Sequence, residues 1–260
     1  MCTLIILRRP RDPWPLLLAG NRDEMPDRPW APPARHWQDR PDLVAGFDQL
    51  AQGSWMGIND YGVVSVVMNR ANSLGPLPGR RSRGELVLEA LDHAEAAASV
   101  QALLALNPNA YRPFNLFIGD PQQAYWLRNA NGAIRAEAIP EGLHMLTSLE
   151  LNDSADPRIR RYLPLFRASD VPNPDNGQWT GWRKLLACRE HLADERSVAA
   201  MCFHQPQGLS TLSSSLIALP RYPGVEHSPI WHFCAGPPDR AKFIPVDLDR
   251  SKQPSLPLDG

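Results

Sequence analysis

Residues 2–8 (Cys-Thr-Leu-Ile-Ile-Leu-Arg) are rich in strand formers, residues 9–15 (Arg-Pro-Arg-Asp-Pro-Trp-Pro) form a proline-broken turn, and residues 16–20 resume an apolar run. The pattern reads as a buried β-hairpin, because proline ends each pairing segment and the arms carry the β-branched and large apolar side chains that pack on a pleated surface. Such a hairpin returns the chain to the level of its start. Arg22 and Asp23, in the run Asn21-Arg22-Asp23-Glu24, are therefore expected beside Cys2.

Cys2 directly follows Met1. Cysteine is small enough for the initiator methionine to be removed, which would leave one residue carrying both a thiol and a free α-amino group. An α-amine titrates at about 7.7–8.0, so at neutral pH part of it is unprotonated and can take the thiol proton directly or through a water. Arg22 beside the thiol would lower its pKa, and Asp23 could orient the amine. The bland alternatives are a small buried hydrophobe at Cys2, the commoner fate of a free cysteine, and a solvated turn with local ion pairs at Asn-Arg-Asp-Glu.

Further motifs favour the chemical reading. Met1-Cys2-Thr3, Asn21-Arg22-Asp23-Glu24 with Arg28-Pro29, Gly53-Ser54-Trp55-Met56-Gly57-Ile58, Met68-Asn69 and Ser82-Arg83-Gly84-Glu85-Leu86 together resemble the NRDE family, also called the transport and Golgi organisation protein 2 family. The likeness spans most of the chain, with its specificity in the first ninety residues. That family is similar in plan to N-terminal nucleophile (Ntn) hydrolases of the choloylglycine hydrolase and penicillin acylase type, which stack two β-sheets between helical layers. The resemblance implies that Cys2 is the nucleophile, that Arg22 and Asp23 flank it, and that Asn69 helps form an oxyanion hole. Two departures stand out. The hydrolase-like pattern would place an asparagine near Leu146-Thr147-Ser148 and an arginine within Thr211-Leu212-Ser213-Ser214, where this chain has Ser148 and Leu212. Leucine can neither donate a hydrogen bond nor stabilise an anion, so a pocket built around Leu212 should lean towards apolar substrates.

Residues 54–69 read as a hairpin turning at Asn59-Asp60-Tyr61-Gly62, whose second arm delivers Asn69 at its end. Residues 72–82 form a Gly/Pro/Arg-rich loop, and 83–106 carry the Ala/Leu/Glu pattern of one long or two short helices. Three or four strands are expected over 114–148, with a turn at Asn131-Gly132, then helices over 156–167 and 180–192, then strands at 210–219, 229–235 and 241–247. This alternation suits two packed sheets between helices better than a doubly wound parallel sheet. The expected fold is α+β, a four-layer αββα sandwich of the Ntn-hydrolase type, formed by one domain over residues 1–247 with a loose tail over 248–260.

The chain has 260 residues, 43% of them hydrophobic, enough for a sizeable core. Lys and Arg total 27 against 28 Asp and Glu, so no global basic field attracts nucleic acid or anionic membrane, and neither is expected as a partner. The N-terminal apolar run is broken by Arg8, Arg9 and Arg11, too early for a signal peptide, and no apolar stretch is long enough to span a bilayer. Four cysteines, at 2, 188, 202 and 234, lack tight paired spacing, as expected of thiols in a cytoplasmic protein. Cys202-Phe203-His204 and His232-Phe233-Cys234 would bring four zinc-type ligands together if their strands paired, but the spacing matches no zinc knuckle and packed core is the better reading, so no metal is expected.

These expectations converge on a thiol amidohydrolase or acyltransferase acting on an amide or thioester of unidentified structure, needing no cofactor. The alternative is a non-catalytic carrier of haem or another hydrophobic small molecule on the same scaffold, because members of the resembled family are associated with haem trafficking. Trp14, Trp30, Trp37, Trp55 and Trp126 could line an apolar groove for it. There is no Cys-x-x-Cys-His attachment motif for covalent haem.

Overall fold

The computed structural model describes residues 2–192, 195–205, 207–221 and 227–249. The proline-broken hairpin forms as the sequence predicts: β1 (Thr3–Arg8) pairs antiparallel with β2 (Leu16–Glu24), from Thr3 opposite Asn21 to Arg8 opposite Leu16. The segments that follow are β3 (Trp30–Ala34), β4 (Leu43–Asp48), β5 (Met56–Asn59) and β6 (Val64–Asn69), then helices α1 (Gly84–Leu91) and α2 (Ala96–Leu104). Next come β7 (Phe114–Gly119), β8 (Ala124–Ala130), β9 (Ala133–Ala138) and β10 (Gly142–Leu146), helices α3 (Pro157–Ala168) and α4 (Thr180–Leu186), and strands β11 (Ser210–Leu219), β12 (Ile230–Cys234) and β13 (Phe243–Pro245).

Among the described residues these strands make two antiparallel sheets, one ordered β10-β1-β2-β11-β12-β13 and the other running β3 to β9 in sequence order. Strand alternation distributes the apolar side chains over three layers of core. Leu4, Ile6, Leu16 and Leu18 meet Val44, Met56, Val64, Val66, Phe117 and Trp126 between the sheets. On the outer face of the first sheet, Ile5, Leu7, Leu17 and Ala19 pack against Ile159, Tyr162 and Phe166 of α3 and Trp182 of α4. On the outer face of the second, Leu43, Ala45, Leu116 and Ile118 pack against Leu86, Val87 and Leu91 of α1 and Val100 and Leu103 of α2. The molecule is thus the four-layer αββα sandwich of the Ntn-hydrolase type. β1 and β2 are buried on both faces, which is why their sequences run apolar without alternation.

The 83–106 stretch resolves into two short helices, with Asp92 capping the first. Gly53 and Gly84, one from each of two sequence motifs, touch backbone to backbone: a Cβ on Gly53 would lie 2.6 Å from the Gly84 carbonyl carbon. Those motif glycines therefore serve the seating of α1 rather than chemistry. Asn131 and Gly132, both at positive φ, turn β8 into β9 as the Asn-Gly pair demands. At the other end, Leu248 packs against the inter-sheet core and its carbonyl accepts a hydrogen bond from Arg35. The expected tail over 248–260 thus begins with a packed residue, and its residues 250–260 lie outside the described ones. No helix among the described residues is long and apolar enough to cross a membrane.

Candidate active site

Because β1 enters the ladder only at Thr3, Cys2 lies one residue outside it, opposite the position of Arg22 by continuation of the register. Alternation puts Cys2 on the face of Leu4, and it packs against the inter-sheet core. Its thiol points at the Asp23 backbone oxygen, 3.8 Å away. A small cavity of about 20 Å³ is lined there by Cys2, Gly20, Arg22, Trp55, Val66 and Ser213 among others.

Arg22 is buried, with 5% exposure. Its guanidinium lies 4.2 Å from the Trp55 ring centroid and 5.9 Å from that of Trp30, and Trp30 in turn meets Trp55 and Phe233 edge-on. Among the described residues its buried Nη1 finds no hydrogen-bond partner. Burial pulls the Arg22 pKa down, and the Cys2 thiolate acts against that pull. For Cys2, burial pushes the thiol pKa up and the Asp23 charge adds to this, while the chain's amino terminus and, more weakly, Arg22 pull it down. The expectation that Arg22 lowers the thiol pKa is corrected to this extent: Arg22 acts in the expected direction, but burial outweighs it.

The Asn-Arg-Asp-Glu run is not a solvated turn but the buried end of β2. Asn21 donates from Nδ2 to the carbonyls of Leu186 (2.9 Å) and Met201 (2.8 Å), tying the strand to the helical layer. Asp23 faces that layer too. Its Oδ1 accepts from Thr211 Oγ1 at 2.8 Å and its Oδ2 from Arg158 Nη1 at 2.8 Å, an ion pair buried on both sides. Arg158 also donates to Thr3 Oγ1 (2.6 Å) and the Val198 carbonyl (2.6 Å). Arg28 pairs with Asp48 at 2.8 Å and lies 3.8 Å from Glu24. Nothing in the sequence marks Arg158; it is one of three arginines in Pro157-Arg158-Ile159-Arg160-Arg161, and only the Asp156 N-cap, which accepts from its backbone N–H, fixes its place at the start of α3.

Asn69 ends β6 opposite Phe114, half-buried and outside the residues lining the cavity; alternation puts it on the face of Val67 and Phe114, which pack on the helical side of the second sheet, so the structure does not bring it to the Cys2 face. The chain then bridges to the first sheet, where the Ala71 N–H donates to the Ser148 carbonyl at 3.0 Å. Ser148 is buried. Leu212 sits in the bulge where Thr211 stands opposite Asp23 and Ser213 opposite Arg22. It is half-buried, outside the residues lining the cavity and outside the three cores. The guanidinium on Asp23 thus comes from α3, not from position 212.

The paired Cys and His residues go separate ways. The Cys202 thiol meets Asp239 Oδ1 at 3.3 Å, that of Cys234 meets the Gly236 carbonyl at 3.3 Å, His204 pairs with Ser210, and His232 with Arg183. Of the five tryptophans, Trp30 and Trp55 flank Arg22, while Trp126 fills the inter-sheet core, Trp14 the outer core, and Trp37 meets His36 and Phe47 edge-on.

Solved structures of similar fold include the Caenorhabditis elegans N-acylethanolamine-hydrolyzing acid amidase ortholog, at 12% identity and TM-score 0.52, covering 86% of this chain and 94% of that one. Penicillin V acylase from Agrobacterium tumefaciens aligns at 12% identity and TM-score 0.53, covering 90% and 83%. A variant of conjugated bile acid hydrolase from Clostridium perfringens aligns at 12% identity and TM-score 0.54, covering 95% and 94%. At such identities the likeness is one of fold. No curated protein sequence matches significantly. The sequence model of the Transport and Golgi organisation 2 family matches residues 1–209, and the chain belongs to that family.

Proposed function

We propose that this protein is an Ntn-type thiol amidohydrolase or acyltransferase, acting on an amide or thioester through Cys2 once Met1 is removed. One arrangement carries the reading: a thiol lining an inter-sheet cavity, next to a buried guanidinium whose Nη1 has no partner among the described residues. An unpaired buried cation is costly, and a neighbouring thiolate relieves that cost. The Cys2 α-amine would take the thiol proton, and the sulfur would attack the acyl carbon. The oxyanion would be met by backbone N–H groups bordering the cavity. Collapse of the intermediate would expel the amine or thiol with the proton held by the α-ammonium, leaving a thioester on Cys2 that water or another acceptor resolves. The amidase, acylase and hydrolase named among the solved structures support an acyl substrate by analogy of fold, which is a weaker argument than the site itself.

The test is Cys2→Ala against a panel of amides and thioesters. Turnover should be lost while the melting temperature stays near wild type, since the substitution removes the attacking atom and little packing. Wild type that turns over none of the panel, yet binds haem saturably with a Soret shift that Cys2→Ala preserves, would make the protein a carrier instead.

A further inference from the structure

We propose that Arg158 is a positioning residue for the Cys2 thiol, acting through Thr3 and Asp23 from the side of the sheet opposite the cavity. The inference rests on Cys2 being the reactive group. Cys2 stands beyond the last ladder pair of β1, so main-chain pairing does not fix it. One guanidinium reaches the residues on both sides of it. Arg158 Nη1 bonds both Thr3 Oγ1, on the residue next to Cys2, and Asp23 Oδ2, on the residue whose backbone oxygen faces the thiol. Nη2 anchors the same group to the Val198 carbonyl, and the Phe203 ring lies 5.5 Å from its centre. A planar donor fork is suited to such a three-way clamp, where a lysine ammonium is not.

The clamp also sets charge. Asp23 lies close enough to raise the thiol pKa, and the buried Arg158 cation opposes that carboxylate. The charged and titratable groups facing the Cys2 and Asp23 pair are Arg22 on β2, Arg158 on α3, Arg83 ahead of α1, Cys202 ahead of β11 and the chain's own amino terminus. Leu212 supplies no cation, and Arg158 brings a positive charge to Asp23 from the helical side.

The experiment follows the rate of iodoacetamide alkylation at Cys2 against pH, by peptide mass spectrometry, together with a thermal melt. Arg158→Met takes the cation away from Asp23 and should move the alkylation midpoint up by about half a pH unit or more. Asp23→Asn takes the carboxylate away from Arg158 and should move it down. The neutral double variant, which removes both charges of the pair, should return it to near wild type. A lowered melting temperature with an unmoved midpoint in Arg158→Met would make the residue merely structural and overturn the proposal. Should Arg158→Met not fold, Asp23→Asn decides: an unmoved midpoint there overturns it equally. Every arm reads the thiol and not turnover, so a lack of acyl turnover in wild type would sink the enzyme reading without touching these midpoints.

Discussion

The Arg22 guanidinium is held 4.2 Å from the centroid of the Trp55 ring, and its Nη1 meets no hydrogen-bond acceptor among the described residues. An aromatic face contributes about 0.5–2 kcal/mol to a cation without neutralising it. The pairing therefore keeps a full positive charge beside Cys2, where a carboxylate partner would have cancelled it.

Arg22→Met should accordingly separate stability from reactivity. The methionine keeps the apolar stem against Trp55 and Trp30 and removes a buried donor that lacks a partner, so the melting temperature should hold or rise. Cys2 alkylation at neutral pH should slow, because a cation that favours the thiolate is gone. A variant that melts well below wild type with unchanged alkylation would show Arg22 to be a structural residue.

Protein from its native host should have the mass of a chain lacking Met1, with Cys2 as the first residue. In that form Cys2 should alkylate ahead of Cys202 and Cys234: burial raises all three thiols, but Cys2 is only half-buried and has an α-amine and Arg22 acting against the rise, whereas Cys202 and Cys234 are buried. Peptide mapping after a brief iodoacetamide pulse at neutral pH reads all three rates at once. Intact Met1 in that preparation would rule out an α-amine on Cys2 as the base.

Leu212→Arg should be nearly silent. The side chain is half-buried at a bulge and outside both cavity and core, so the cost of an added guanidinium should stay within about 0.5 kcal/mol, as for ordinary surface changes. Ligand preference should not move. A shift towards anionic ligands would place position 212 in the substrate path after all.

Stability should decline as the pH falls below about 6.5. His144 donates from Nε2 to the Pro140 carbonyl and accepts at Nδ1 from Asn152, and His232 accepts at Nδ1 from Arg183. Both rings are held neutral, and burial lowers both pKa values. The unfolded chain therefore takes up protons first on acidification, so the stability present above the unfolded pKa is lost as the pH drops through the folded ones. Melts of His144→Gln and His232→Gln from about pH 8 to about pH 5, the span over which histidine titrates, should each show a shallower decline than wild type. Parallel curves would exclude the two rings as the cause.

The fold was legible wherever its cause was local. Prolines 10, 13 and 15 bound the first hairpin, Asn131-Gly132 turns the second, and the apolar run of β11 ends where the sequence says it should. Cys2, Arg22 and Asp23 were placed together by hairpin geometry alone. Arg158 was not, because it reaches Asp23 from 135 residues further along the chain, and a side chain drawn in by tertiary packing leaves no periodic trace. The partial burial of Cys2 was equally hidden: a sequence names the neighbours of a thiol, but the second sheet that half covers it arrives through Trp55 and Val66.

Cys2 sits at the head of a strand whose two neighbours are β2 and β10, and β2 in turn is flanked by β11, which ends at Leu219. Asp23 leaves the ribosome 188 residues ahead of Thr211, the hydroxyl it holds in the finished protein. Until β11 has been synthesised and has closed over β2, the thiol has neither its Ser213 wall nor the Thr211 contact that steadies Asp23. A nascent or truncated chain would carry the cysteine without its setting, so the reactivity proposed for Cys2 would be postponed until translation has passed Leu219.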